Sequence, residues 1–203
     1  MSAEQFLSHV DLRGHVARLR LPRVEEAERV FAMLAGRREI LDWIEWSGPE
    51  NSEELREKAR NWRVETGGAA NYQLALAHAD TDEIAGSLSL RFIDHPERAD
   101  VGYWVGAAHQ GRGLASDAIG LAVWLAFNVL DARSVSACVF VGNVASRRVL
   151  EKHGFGLRPS AAGEITCSAR ERWTFGLERS VYEVRANAQR PVEFDCAFRG
   201  ALP

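Results

Sequence analysis

The spacing of apolar residues changes several times along the chain, and each change marks an element. Residues 15–21 set Val16, Leu19 and Leu21 among basic residues and predict a short strand, which Pro22 ends. Val24, Ala27, Val30, Phe31 and Leu34 then recur at helical spacing, with Gly36 as the stop. Residues 40–46 are a short aromatic-rich piece. Asn51 followed by Glu54 has the form of a capping box and opens a helix predicted to run to about Val64.

The middle of the chain switches period. Residues 72–77, 84–92 and 100–105 predict three strands, the first two joined by the polar turn His78-Ala79-Asp80-Thr81-Asp82-Glu83. Over residues 114–130, Leu114, Ala118, Leu121, Ala122, Leu125 and Val129 fall on one face of a helix. Residues 134–141 predict a strand, residues 145–153 a helix stopped by Gly154, and residues 170–177 and 181–185 two more strands. From Ala186 no pattern emerges. The order β-α-α-α-β-β-β-α-β-α-β-β predicts an α/β (α+β mixed) fold, a mixed sheet with helices on its faces.

Composition narrows the function classes. With 203 residues the chain fits one domain, and 46% hydrophobic against 26% charged residues is ordinary globular usage. A balance of 25 Lys+Arg against 28 Asp+Glu, net −3, argues against nucleic acid as the main partner. The three cysteines, Cys138, Cys167 and Cys196, are far apart, and no CxxC, Cys/His cluster or HExxH appears, so no metal is expected. The first residues carry acidic groups and lack the apolar core of a secretory signal. No apolar run approaches the roughly 18 residues of a membrane span. The expectation is a cytoplasmic protein, monomer or homodimer, with no membrane partner.

The chemistry concentrates where a predicted strand meets the long helix. Gln110-Gly111-Arg112-Gly113-Leu114-Ala115 sets two glycines at that junction. Glycine tolerates positive φ and lets a ligand approach the backbone. The free N–H groups and dipole of the helix start suit an anion such as a pyrophosphate. The same glycines also suit a tight strand-to-helix connection with no ligand. There is no GK[ST] and the dinucleotide spacing fails, so this is not a nucleotide loop of either kind.

Gln110-x-x-Gly113-x-Ala115, after a strand ending Gly102-Tyr103-Trp104-Val105-Gly106, resembles the acetyl-CoA pyrophosphate loop of the GNAT superfamily of N-acetyltransferases. A second block, from Gly142-Asn143 through Ser146 to Glu151-Lys152-His153-Gly154-Phe155, resembles that superfamily's segment beside the pantetheine arm. Ile40-Leu41-Asp42-Trp43-Ile44-Glu45-Trp46-Ser47-Gly48-Pro49, then Ser52-Glu53-Glu54, is similar to a stretch of RimJ/RimL-type members. The resemblance covers about residues 15–185 and departs over residues 158–168. It leaves residues 1–14 as an N-terminal extension and 186–203 as a tail around a single domain.

The resemblance implies the GNAT fold, a mixed, mostly antiparallel twisted sheet with helices on both faces. It also implies acetyl-CoA as co-substrate and direct attack of an amine on the thioester. The backbone of Gly111, Arg112, Gly113, Leu114 and Ala115 would contact the pyrophosphate, with Gln110 in the same loop. Trp104 and Val105 would offer backbone groups to the pantetheine, where their side chains alone read as sheet core. Asn143 would lie beside the pantetheine and Ser146 near the CoA sulfur as proton donor; the two residues equally suit a helix cap. A carboxylate is implied after Gly154-Phe155, and Glu164 and Glu171 are the candidates for a general base, both also readable as surface glutamates. Trp43 and Trp46 would cover the acceptor cleft, a small amine or a protein N-terminus being the acceptor. The opposing reading is a non-catalytic acyl-CoA-binding sensor on the same fold.

Overall fold

The computed structural model describes residues 6–66, 69–94, 97–159, 170–185 and 191–199. One sheet organises these residues. Its strands are β1 (Phe6–Arg13), β2 (Ala17–Arg20), β3 (Arg63–Thr66), β4 (Ala69–His78), β5 (Ile84–Asp94), β6 (Arg98–Val105), β7 (Ser134–Phe140), β8 (Gly156–Arg158), β9 (Arg172–Glu178) and β10 (Glu193–Arg199). They lie in the order β10-β1-β2-β4-β5-β6-β7-β9-β8, with β3 paired to β4. Every pairing is antiparallel except β6 with β7. The helices are α1 (Ala27–Leu34), α2 (Arg38–Leu41), α3 (Ser52–Arg60), α4 (Leu114–Trp124), α5 (Val144–Lys152) and α6 (Arg179–Arg185).

Period-2 alternation gives the sheet two different faces. Tyr72, Leu74 and Leu76 of β4 and Leu88, Leu90 and Phe92 of β5 are fully buried in one cluster with α4. The opposite face carries Gln73, Ala75, Ser87 and Ser89, under α1, on which α3 packs. Helices therefore cover both faces, as the resemblance implied.

The helix over α4 differs from its one-faced expectation. Residues 118–127 are all buried, and the last turn, Leu125–Val129, is π-helical. Distant segments close its outer side. Phe194 of β10 meets Trp124 at 4.9 Å between ring centroids, Tyr182 of α6 stacks on Phe127 at 4.7 Å, and the His153 ring lies against Gly120.

Three other expectations change. Residues 181–185, read as a strand from their valines, form helix α6. Arg179 donates to the Phe127 and Ala132 carbonyls at 2.9 and 3.0 Å, and Asn128 donates to Tyr182 Oη at 2.6 Å. Those anchors at the end of α4 outweigh a weak β propensity. The helix opened by Asn51 stops at Arg60, and β3 and β8 had no legible pattern of their own. The unassigned tail supplies β10, which pairs with β1 and puts Val10 and Leu12, fully buried, into the core. The sheet thus runs wider than residues 15–185. No described helix is long and apolar enough to cross a membrane.

Candidate active site

Strand pairing opens the site. β6 and β7 pair only at Arg98, Ala99 and Asp100 with Ser134, Val135 and Ser136, then separate. From Val101 onward the side of β6 facing β7 has no strand partner among the described residues. A cleft of about 1160 Å³ passes through this opening, from the loop before α4 to the polar sheet face beneath α2 and α3.

The loop meets the geometric requirement for glycine. Gly111 and Gly113 have φ of +74° and +81°, and Gly113 is the N-cap of α4 in the left-handed region. A Cβ at Gly111 would meet nothing within 4 Å, and one at Gly113 only Val16 at 3.7 Å. Backbone conformation, not crowding, demands glycine at both positions. Gln110 Nε2 donates to the Val105 carbonyl at 3.0 Å and ties the loop to the end of β6. Asp117, in the first turn of α4, is turned away from the loop; it accepts from the Val16 and Ala17 N–H groups at 2.7 and 2.8 Å. The loop residues 110–115 line the cleft except Arg112, which is exposed.

Trp104 and Val105 face different ways. The Trp104 carbonyl is turned to β5, where a Cβ on Gly86 would overlap it, and the Trp104 side chain lines the cleft. The Val105 carbonyl points the other way, to Gln110. Of the two, Val105 is the one whose backbone faces the opening.

Asn143 and Ser146 divide the roles between them. Asn143 Oδ1 accepts from the Ser146 N–H at 3.1 Å and is the cap of α5. The Ser146 hydroxyl caps nothing. It accepts from Tyr103 Oη at 3.0 Å, and both residues line the cleft. Burial pushes the Tyr103 hydroxyl pKa up.

Trp43 and Trp46 line the other end of the cleft. Trp43 is 40% exposed and packs its edge on Gly142. Lys58 Nζ sits 3.9 Å above the Trp46 ring. Glu45, between them, pairs with Arg172 of β9. Glu171 is exposed and does not line the cleft, its backbone carbonyl accepting from Val141 N–H at 3.0 Å. Glu164 lies outside the described residues.

Two cleft residues escaped the sequence reading. Tyr103 was passed over inside Gly-Tyr-Trp. Asp100 lies on the polar floor where β6 leaves β7; Ser136 Oγ donates to it at 3.0 Å and Arg91 lies 3.7 Å away. Strict alternation along β6 was the available signal, since it separates Asp100, Gly102 and Trp104 from Val101, Tyr103 and Val105. Two histidines beside the site are occupied structurally: His153 is buried with Ser116 Oγ at 3.1 Å, and His109 Nδ1 lies 2.9 Å from His78 Nε2. Among the described residues, no group of three or more His, Cys, Asp or Glu side chains is placed to hold a metal ion.

Comparison with known proteins matches this geometry. Residues 17–156 match the acetyltransferase (GNAT) domain. A Bacillus subtilis protein named for ribosomal N-acetylation, YdaF, is 28% identical over 141 residues, 68% of this chain and 76% of its own. The Mycobacterium smegmatis RimJ structure in complex with CoA-disulfide superposes with a TM-score of 0.63 at 19% identity, covering 93% of this chain and 96% of that one. The microcin C7 self-immunity acetyltransferase MccE, solved with acetyl-CoA and AMP, gives a TM-score of 0.64 at 20% identity, covering 81% and 93%. The loop at the start of α4, the parting of β6 from β7 and these matches together make the chain a member of the GNAT acetyltransferase family, an acetyl-CoA-dependent acyltransferase.

Proposed function

We propose that this acetyltransferase moves the acetyl group from acetyl-CoA directly to a primary amine, that of a small molecule carrying a flat group or of a protein N-terminus. The observation that carries the reading is the single cleft joining the α4 loop to the polar floor through the parting of β6 and β7. The N–H groups of residues 111–115 hold the pyrophosphate, helped by the positive end of the α4 dipole. The thioester lies at the opening, between the Val105 backbone and the Ser146 hydroxyl. The amine enters over the floor beside Trp43, whose exposed ring suits stacking. Holding both reactants in one cleft supplies much of the rate enhancement.

The amine nitrogen attacks the carbonyl carbon, the C–S bond breaks, and the sulfur leaves as a thiolate that accepts a hydrogen bond from Ser146 Oγ. The proton shed by the amine passes to Asp100, the carboxylate on the floor side, directly or through water. An α-amino group with a pKa near about 8 is already partly neutral at pH 7, so this base has little to do.

Calorimetric titration with acetyl-CoA gives one saturable site. Gly113→Val weakens it by about tenfold or more, since a branched side chain strains the left-handed turn. Thiol release is then followed with glycinamide, tyramine, spermidine and a hexapeptide with a free N-terminus. At least one amine accelerates it, and Asp100→Asn slows that reaction with acetyl-CoA affinity unchanged. If no amine outpaces water, the transfer reading fails and an acyl-CoA-binding module remains.

A further inference from the structure

Tyr103 stands at the opening of β6 from β7. It is 43 positions from Ser146 in sequence, yet its Oη donates to Ser146 Oγ at 3.0 Å. A serine hydroxyl has one proton and two lone pairs. With Tyr103 donating, one lone pair is used and the Ser146 proton cannot point back at the ring. Asn143 Oδ1 is already taken by the Ser146 N–H. Among the described residues Ser146 Oγ donates to none, so its proton is left for the cleft that the side chain lines. Burial raises the Tyr103 pKa, which keeps the phenol protonated and makes it a standing donor, unsuited to giving up its proton.

We propose that Tyr103 is a positioning residue for acetyl transfer, its hydroxyl fixing Ser146 Oγ so that the Ser146 proton meets the CoA sulfur as the C–S bond breaks. This rests on the role given to Ser146 above. The phenol touches neither substrate. It acts by orientation and by polarising the second hydroxyl, since linked hydrogen bonds strengthen one another in a low-dielectric cleft. Tyr103, Ser146 and the sulfur form a donor chain ending on the leaving group, and no proton leaves Tyr103.

The test needs no knowledge of the acceptor. CoA carrying an isotope label at the carbon beside sulfur is bound to the full chain, and its thiol is titrated by NMR. The bound thiol ionises at lower pH in the wild type than in Ser146→Ala, and Tyr103→Phe loses about 0.5 to 1 pH of that difference, the worth of one hydrogen bond. The double variant matches Ser146→Ala alone, because Tyr103 acts only through Ser146. A fluorinated tyrosine at position 103, a stronger donor of nearly the same shape, lowers the thiol ionisation further. In transfer to the fastest amine of the set above, Tyr103→Phe lowers kcat about five- to tenfold with KM for acetyl-CoA unchanged. An unchanged thiol titration in Tyr103→Phe overturns the proposal, as does a loss that adds to that of Ser146→Ala. A fall in CoA affinity with no change in thiol ionisation marks a structural role and overturns it too. If Ser146→Ala leaves the titration untouched, the Ser146 assignment itself fails and Tyr103 falls with it.

Discussion

At the scale of single residues, Arg20 is a buried charge, only 4% exposed. Burial would lower its pKa, but hydrogen bonds to Glu26 and Asp82 outweigh that and hold it above the ordinary arginine value. Its Nε lies 2.6 Å from Asp82 Oδ1 and its Nη2 2.5 Å from Glu26 Oε1, so one side chain ties β2 to the approach to α1 and to the β4–β5 turn. Asp82 itself has φ of +58°, which aspartate tolerates better than most residues. Removing Arg20 takes the paired cation from Glu26, while Asp82 keeps Arg23 at 2.6 Å. Arg20→Met is expected to cost about 3 kcal/mol, read from urea unfolding, while acetyl-CoA affinity of the folded protein stays the same. None of this was visible from the alternating pattern of residues 15–21, which marks the strand without saying which arginine turns inward. The glycines of the α4 loop are the contrasting case. Their identity announced a turn, and the structure shows why glycine suits it: both φ values are positive.

At the scale of elements, β5 and β6 approach so closely that Gly86 has no room for a side chain. A Cβ there overlaps the Trp104 carbonyl, and both groups are backbone held in the sheet. Gly86→Ala is therefore expected to cost about 1–3 kcal/mol in denaturant unfolding and to weaken acetyl-CoA binding, since the same strand carries Val105 and Tyr103 to the opening. Elements whose own residues supply their stabilisation were legible. α3 has its Asn51 cap, with Glu54 N–H donating to Asn51 Oδ1 at 3.0 Å, and β4 to β6 carry long apolar alternation. Elements stabilised by something else were not. α6 is a helix because Tyr182 and Arg179 dock on the end of α4, whereas its exposed Val181 and Val184 read as a strand. β10 exists as the partner of β1, and neither carries a pattern strong enough to announce the other.

For the whole molecule, the clearest dependence on solution conditions comes from the histidine pair beside the loop. Burial first, with His78 and Arg112 adding and Glu83 opposing, holds the His109 pKa below its ordinary 6.5. The unfolded chain then takes up this proton more readily than the folded one. The contribution to stability is present above about pH 6.5 and is lost as the pH falls through the lower folded value. The melting temperature is expected to drop between about pH 7 and about pH 5, and His109→Gln to flatten that part of the profile. A profile that His109→Gln leaves unchanged would place the sensitivity elsewhere.

The sequence by itself determined the fold family, the glycine-bearing loop before α4, and most helices and strands. Each rests on local regularities: a period, a cap, a glycine where φ must be positive. Only the tertiary structure decided where β6 parts from β7, which of Trp104 and Val105 turns its backbone to the opening, and that Asn143 caps α5 while Ser146 is left to Tyr103. Those outcomes depend on contacts between residues far apart in the chain. Such contacts are set by the packing of whole elements, and no spacing along the sequence records them.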